Sequence, residues 1–193
     1  MAETAIAAKS ARKDRGVQRV LIEADAIQQR VSELAADLDA IYGDETPLLV
    51  GVLTGAVTFM TDLMREIHHP HAIEFMAVSS YGVGKRETSG QTRITLDLNT
   101  DIRDKNVILV EDIIDSGHTL ASVLEMLSLR KPKSLSVCTL LDKAERREVY
   151  VPVKYTGFVI PNKFVFGYGL DIDDYYRNLP FVGVVDLNRY KPG

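Results

Sequence analysis

The sequence has 193 residues, of which 46% are hydrophobic, and its 23 Lys and Arg against 27 Asp and Glu give a formal net charge of -4. A chain of this length buries about 70% of its unfolded surface, so it is expected to fold as one domain without disulfides or structural metals. The absence of a membrane-length apolar run, the single cysteine and the mild acidic excess favour a cytoplasmic protein that does not bind nucleic acid over its whole surface.

The chain begins with residues 1–16, which are rich in Ala and charge, lack a sustained apolar period and are predicted to form a mobile arm. Residues 17–193 are predicted to form a single domain. Its first helix is predicted to start at Asp25 and to end at Gly43, because apolar side chains recur every three or four residues between them. These side chains are Ile27, Val31, Leu34, Leu38 and Ile41.

A strand, a tight loop and a helix follow. Residues 48–53 form a continuous apolar run, which is typical of a buried parallel strand. A short loop with one glycine leads into a second helix. The apolar side chains on one side of this helix are Val57, Met60, Leu63, Met64 and Ile67.

The same alternation continues along the chain. Strands are predicted at residues 73–81, 92–98, 106–110 and 135–141, and the stretch after the third of these has the period of a helix. Alternating strands and helices predict an α/β domain with a mainly parallel sheet and helices on both faces. The end of the chain, from Val159 onward, is aromatic-rich and less regular, and it is predicted to form a small hood.

The stretch from Val107 to Leu120 carries the strongest chemical signal. After the strand, the chain turns through five residues into a helix. A glycine in this turn allows close approach of the backbone, while amides at the helix start and two hydroxyls suit a phosphate monoester. The candidate phosphate-binding residues are Asp115, Ser116, Gly117, His118 and Thr119.

Two acids, Glu111 and Asp112, are expected at the carboxyl end of this strand, where open α/β sheets bind their ligands. Paired carboxylates there suit ribose hydroxyls or a divalent cation. The alternative is an ordinary helix cap beside two solvated acids. The concentration of acidic and phosphate-type features in nine residues favours the binding site.

This segment resembles the phosphoribosyl-diphosphate signature of the type I phosphoribosyltransferases, with four apolar residues, two acids, two apolar residues and Asp-Ser-Gly-x-Thr. Three further stretches, residues 53–56, 79–82 and 160–171, narrow the resemblance to the hypoxanthine and guanine phosphoribosyltransferases of purine salvage. The resemblance covers residues 20–190. It implies the type I phosphoribosyltransferase fold and transfer of a phosphoribosyl group from phosphoribosyl diphosphate to a 6-oxopurine, giving IMP or GMP.

The resemblance also implies roles for residues outside the turn. Thr54 and Gly55 correspond to a loop that binds pyrophosphate through backbone amides, with Thr54 in place of the lysine of some members. Ser80 and Tyr81 begin a lid that closes over the site, and Arg177 is a pyrophosphate partner. The Gly-containing, charged segment 82–92 has the composition of such a lid, although a solvated hairpin is the alternative.

At the base, the resemblance implies that Lys143 donates to the oxygen at purine C6, that Phe164 stacks on the ring, and that Val165 and Asp171 meet its edge. Asp115 is the candidate catalytic residue, because it is expected to take the N7 proton as N9 attacks. Mg²⁺ is the implied cofactor. Its candidate ligands are Asp171, Glu111 and Asp112.

Two other functions stay open: a phosphoribosyltransferase for xanthine or a pyrimidine, and a regulator of the same fold that binds nucleic acid. The residues around Phe164 disfavour the first, and the presence of Asp115 and Lys143 disfavours the second. A homodimer or homotetramer without membrane or nucleic-acid partners is expected. His68, His69 and His71 crowd around a proline and are not expected to bind a transition metal.

Overall fold

The computed structural model describes residues 17–43, 45–80 and 92–186. The described chain divides into two compact units, Gln28–Asn162 and a smaller one made of residues 17–27 with residues 163–186. The predicted N-terminal arm lies outside the described residues. The prediction of one domain that includes a C-terminal hood stays a prediction.

The elements of the described chain alternate between strands and helices. In chain order they are β1 Val17–Ile22, α1 Ala24–Tyr42, β2 Leu48–Leu53, α2 Val57–Glu66, β3 Ala72–Ser80, β4 Thr92–Leu96, β5 Asn106–Ile114, α3 His118–Ser128, β6 Ser134–Asp142, a short 3₁₀ turn Ala144–Arg146, β7 Tyr155–Val159, β8 Val165–Phe166 and β9 Val182–Val185.

A six-stranded sheet in the order β4-β3-β2-β5-β6-β7 forms the centre of the larger unit. Every neighbouring pair is parallel except β3 and β4, which are antiparallel at one edge. Helix α2 packs against β2 and β5, and α3 packs against β4 and β6. The predicted α/β class with a mainly parallel sheet flanked by helices is confirmed.

The burial of the side chains explains the apolar patterns from which the strand and the helix were predicted. The side chains of β2 are buried almost throughout, which accounts for its uninterrupted apolar run. On α1 the predicted apolar face is buried at four of five positions, but Ile41 is 51% exposed and lies off that face. None of the helices in the described ranges has the length and apolar character needed to cross a membrane.

Strand β5 differs from its prediction in a way that matters for the site. It was predicted to end at Val110, but it continues to Ile114 because its pairing with β6 runs on to Ile114 opposite Asp142. Glu111 and Asp112 therefore lie within the strand rather than after it. Strands β1 and β7 were not predicted at all.

The smaller unit contains a three-stranded antiparallel sheet in the order β1-β9-β8. Its own core includes four buried apolar side chains. They are Phe166, Ile172, Leu179 and Val185. Residues at both ends of the described chain thus pair with each other in one sheet.

A carboxylate on α1 fixes the turn that precedes β3. The backbone N–H groups of His68 and His69 donate to Asp39 at 3.0 and 3.2 Å, and the Nδ1 atoms of both rings lie 3.1 and 2.9 Å from its oxygens. Burial raises the pKa of Asp39, but these hydrogen bonds outweigh it and leave the pKa well below its ordinary value. Asp39 therefore stabilises the fold mainly as an ionised group.

We expect Asp39→Asn to lower the free energy of unfolding by about 1 to 3 kcal/mol at pH 7, because the amide replaces one acceptor by a donor that faces N–H groups. A group with a depressed pKa contributes fully above its unfolded pKa of about 3.9 and loses that contribution as the pH falls towards the folded value. The difference in the free energy of unfolding between the wild type and Asp39→Asn should thus become smaller below about pH 4.

Denaturant unfolding of Asp39→Asn between pH 3 and 8 measures this difference. Glu33→Gln on the same helix is the matched control, since Glu33 makes an exposed pair with Arg30 at 2.7 Å. Exposed pairs of this kind contribute about 0.2 to 1 kcal/mol. Equal losses in the two variants would remove Asp39 as an anchor of the turn.

Candidate active site

The carboxyl ends of β2, β5 and β6 lie side by side, as the sheet order requires. Next to them is a cavity of about 290 Å³. Its lining includes acidic and hydroxyl side chains as well as apolar ones. They are Val52, Leu53, Val78, Glu111, Ile113, Ile114, Asp115, Ser116, Gly117, Thr119 and Leu120.

The predicted phosphate turn opens helix α3. Gly117 is the N-cap and has a φ of 91°, and no side-chain capping hydrogen bond is formed at this position. Because the first amides of a helix have no partner within it, a turn of this kind presents donors to an anion. The glycine is required, since L side chains rarely adopt this left-handed backbone conformation.

The segment after β6 braces this turn. The backbone N–H groups of Glu148 and Val149 donate to the Ser116 carbonyl at 2.9 and 3.3 Å. A Cβ atom placed on Gly117 would lie 3.0 Å from Cδ of Arg147 and 3.1 Å from the Val149 carbonyl oxygen. The Nε2 atom of the His118 ring lies 3.0 Å from Oε2 of Glu148. The turn therefore has a preformed shape.

Asp115 lies between two cations. Nζ of Lys143 donates to its Oδ2 atom and Nε of Arg146 to its Oδ1 atom, both at 2.9 Å. Partial burial raises the pKa of Asp115, but the hydrogen bonds and charges of the two cations prevail and hold the pKa below its ordinary value. The structure thus brings together the predicted Asp115 and Lys143.

Arg146 is the residue that the sequence analysis missed. The signal that could have found it is the basic pair Arg146-Arg147, three residues beyond the predicted base-binding lysine. A pair of basic residues is more often part of the solvated surface. Only the folded structure shows that Arg146 contacts Asp115.

The two strand acids have different environments. Glu111 is 8% exposed, and burial together with the charge of Asp112 raises its pKa well above the ordinary value. Asp112 accepts a hydrogen bond from the Ile113 backbone N–H at 2.7 Å. Its Oδ2 atom would lie 1.6 Å from a Cβ atom on Gly55, so only glycine fits there. Asp112 thereby links the strand to the predicted pyrophosphate loop.

Thr54 and Gly55 follow directly after β2. The peptide bond between Leu53 and Thr54 is cis. The Thr54 side chain is exposed. Ser80 ends β3, whereas Tyr81 and the predicted lid segment up to residue 91 lie outside the described residues.

The remaining predicted residues belong to the smaller unit. Phe164 is 53% exposed, while Val165 is buried in β8. Nη2 of Arg177 lies 2.8 Å from Oδ1 of Asp171, and its Nη1 atom donates to the Gly169 carbonyl at 2.8 Å. Asp171 and Arg177 are thus paired with each other.

A larger cavity of about 590 Å³ lies beside β7 and contains none of the predicted substrate residues. Its charged lining includes Asp142 and Arg147, which form an ion pair with each other. Because these charges are paired, and the smaller cavity sits at the carboxyl ends of the strands, the smaller cavity is the better candidate.

Oxygen donors suitable for Mg²⁺ are present in both units, on Glu111, Asp112 and Asp171. In the described ranges, no three or more His, Cys, Asp or Glu side chains cluster as a metal site. Mg²⁺ commonly takes one or two carboxylates together with substrate phosphate oxygens and water. Glu111 and Asp112, which are neighbours in β5, could supply carboxylates of that kind.

Comparisons with known proteins identify the family of this chain. A family model described as a phosphoribosyl transferase domain matches residues 21–173. The hypoxanthine phosphoribosyltransferase of Salmonella typhimurium is 51% identical over 170 residues, which cover 87% of this chain and 95% of the relative.

Two solved structures show the same fold. A crystal structure of a hypoxanthine phosphoribosyltransferase from Staphylococcus aureus has a TM-score of 0.88 at 41% identity, over 92% of this chain and 96% of that chain. A hypoxanthine-guanine phosphoribosyltransferase from Bacillus anthracis has a TM-score of 0.84 at 43% identity, over 88% and 99%. The type I phosphoribosyltransferase fold is therefore confirmed, and the chain belongs to the hypoxanthine phosphoribosyltransferases of that family.

Proposed function

We propose that this chain transfers the 5-phosphoribosyl group of phosphoribosyl diphosphate to N9 of hypoxanthine or guanine, giving IMP or GMP and pyrophosphate in purine salvage. The observation that carries the proposal is the ion pair of Asp115 and Lys143 beside the glycine turn that opens α3. The turn suits a 5′-phosphate, and the ion pair offers one donor and one proton acceptor to a 6-oxopurine.

The phosphate and ribose are bound by the turn and by β5. Backbone amides and hydroxyls of the turn hold the 5′-phosphate; the residues are Ser116, Gly117, His118 and Thr119. Burial and the charge of Asp112 raise the pKa of Glu111, and its carboxyl oxygens are proposed to bind a ribose hydroxyl. Asp112, which is next to Glu111 and against Gly55, stands where ribose and pyrophosphate oxygens meet.

The purine is recognised by donors and acceptors in the plane of the ring. Lys143 donates to the oxygen at C6, and Asp115 accepts the N7 proton as N9 attacks the ribose carbon. Adenine presents an amino group in place of that oxygen, which leaves the ammonium without an acceptor. Phe164, with half of its surface exposed, is available to stack on the ring, while Val165 and Asp171 meet the base edge.

The leaving pyrophosphate is held by Thr54, Gly55 and Arg177. When bound to the diphosphate, Mg²⁺ supplies positive charge that stabilises the leaving group. Asp171, Glu111 and Asp112 would hold the ion together with substrate oxygens.

We further propose a cytoplasmic homodimer or homotetramer. A similar solved structure concerns the role of the C-terminal region in the oligomeric state and enzymatic activity of the hypoxanthine phosphoribosyltransferase of Trypanosoma cruzi. Sedimentation of the purified chain distinguishes the two states.

An assay with four bases tests the function. With phosphoribosyl diphosphate and Mg²⁺, we expect IMP from hypoxanthine and GMP from guanine, and at least 10³-fold lower kcat/KM with adenine, because a site built on a hydrogen bond rejects a base that lacks it. Xanthine is the fourth base. A higher kcat/KM for xanthine than for hypoxanthine would identify a xanthine phosphoribosyltransferase instead. Equal rates with adenine would contradict the proposal.

Lys143→Ala separates base recognition from the rest of the site. The variant should raise KM for hypoxanthine by at least tenfold while changing the affinity for phosphoribosyl diphosphate by less than about threefold. Lys133→Ala is the matched control, because Lys133 makes an exposed pair with Glu45. A loss of phosphoribosyl diphosphate binding in Lys143→Ala would show that Lys143 contacts the sugar phosphate rather than the base.

A further inference from the structure

Arg146 shares a short turn with Lys143. The Arg146 backbone N–H donates to the Lys143 carbonyl at 2.8 Å, and the Lys143 backbone N–H donates to the Ile114 carbonyl at 3.0 Å. The turn is thereby tied to the end of β5, immediately before Asp115. Both cations consequently reach the same carboxylate, one at each oxygen.

The two cations differ in their surroundings. The Lys143 side chain is 9% exposed and lies in the site, whereas the Arg146 side chain is 46% exposed. Under the proposed function, Lys143 must also donate to the purine oxygen and Oδ2 of Asp115 must meet N7. A carboxylate held only by Lys143 would be free to rotate when the base arrives.

We propose that Arg146 is a positioning residue for the transfer reaction, which holds Oδ1 of Asp115 so that Oδ2 faces N7 of the bound base. The inference rests on the proposed function. The Nε donor suits this task, because it reaches one oxygen and leaves the other to Lys143. Arg146 touches neither substrate nor reacting atom in this arrangement; it acts through Asp115.

The charge of Arg146 has a second consequence. Lys143 and Arg146 are the charged groups that act on Asp115, and both favour its ionised form. Removing Arg146 should therefore raise the pKa of Asp115 and move the acidic limb of the kcat/KM profile to higher pH. Because the pair is partly exposed, this shift should be small.

Two variants of Arg146 test the inference. Arg146→Gln should lower kcat for IMP formation about tenfold, because the carboxylate loses its orientation, and should leave phosphoribosyl diphosphate affinity within about twofold of wild type. Arg146→Lys keeps the charge without the Nε donor. It should restore the acidic limb of the profile but recover kcat only in part.

Arg130→Gln is the matched control, since Arg130 pairs with Asp97 at 2.8 Å on the surface and contacts none of the site residues described above. Its kcat and pH profile should equal those of wild type. Wild-type kcat and an unshifted pH profile in Arg146→Gln would overturn the inference while the proposed function stands. A wild-type protein that forms no nucleotide from any of the four bases would overturn both. Circular dichroism of each variant separates a folding defect from a change at the site. If Arg146→Gln does not fold, Arg146→Lys tests the inference, and wild-type kcat in this variant would overturn it.

Discussion

Asp115→Asn is expected to lower kcat by about 10² to 10⁴ while phosphoribosyl diphosphate affinity changes little. The amide cannot accept the N7 proton. It also cannot satisfy both neighbours, because Lys143 and Arg146 have only donors and the asparagine has a single acceptor oxygen. Measuring kcat and the dissociation constant of phosphoribosyl diphosphate on the purified variant checks this expectation.

The competing interpretation makes Asp115 a helix cap, for which asparagine is nearly as good. The geometry gives it little support, since Gly117 is the N-cap of α3 and no side chain caps the helix. Asp97→Asn is the matched control, because this carboxylate also pairs with an arginine but lies on the exposed surface. A kcat for Asp115→Asn equal to that of the control would remove Asp115 from the catalytic residues.

The pH dependence follows from the same contacts. Since the two cations hold the pKa of Asp115 below its ordinary value, the carboxylate is ionised and able to accept a proton throughout the neutral range. Activity that depends on it should fall only at acidic pH, as the group becomes protonated. The Asp115→Asn variant should lack this acidic limb.

Much of the larger unit was predictable from local patterns. Strand β2 occupies the predicted residues 48–53, because a strand covered on both faces must be apolar at every position. The turn that opens α3 was predictable for a different reason: its glycine, hydroxyls and acids stand close together in the sequence. Both signals are contained in fewer than ten residues.

Features that depend on distant pairing were not predictable. Strand β1 pairs with β9 at the other end of the described chain, and neither segment carries a sign of its partner. The extension of β5 beyond Val110 is set by its register with β6. Arg146 gains its contact with Asp115 only through the folded turn, 31 residues along the chain.

Gly117→Val should reduce IMP affinity by more than about 100-fold. From the sequence, the glycine was expected to allow close approach of the backbone to a phosphate. The structure gives a different reason, because the Cβ atom would meet Arg147 and Val149 at 3.0 and 3.1 Å, and a β-branched residue does not tolerate a φ of 91°. The turn or its bracing segment must then shift, which displaces the amides that are proposed to bind phosphate.

A matched glycine separates this effect from backbone strain alone. Gly43 at the end of α1 also has a positive φ, of 39°, but nothing lies within 4 Å of a Cβ atom placed on it. Gly43→Val should therefore cost stability, about 1 to 3 kcal/mol, without changing IMP affinity. Isothermal titration with IMP, after circular dichroism has confirmed folding, compares the two variants, and Gly117→Ala replaces the valine variant if that one does not fold. Wild-type IMP affinity in a folded Gly117 variant would show that the turn is an ordinary helix start, because a phosphate site built from its amides cannot survive their displacement.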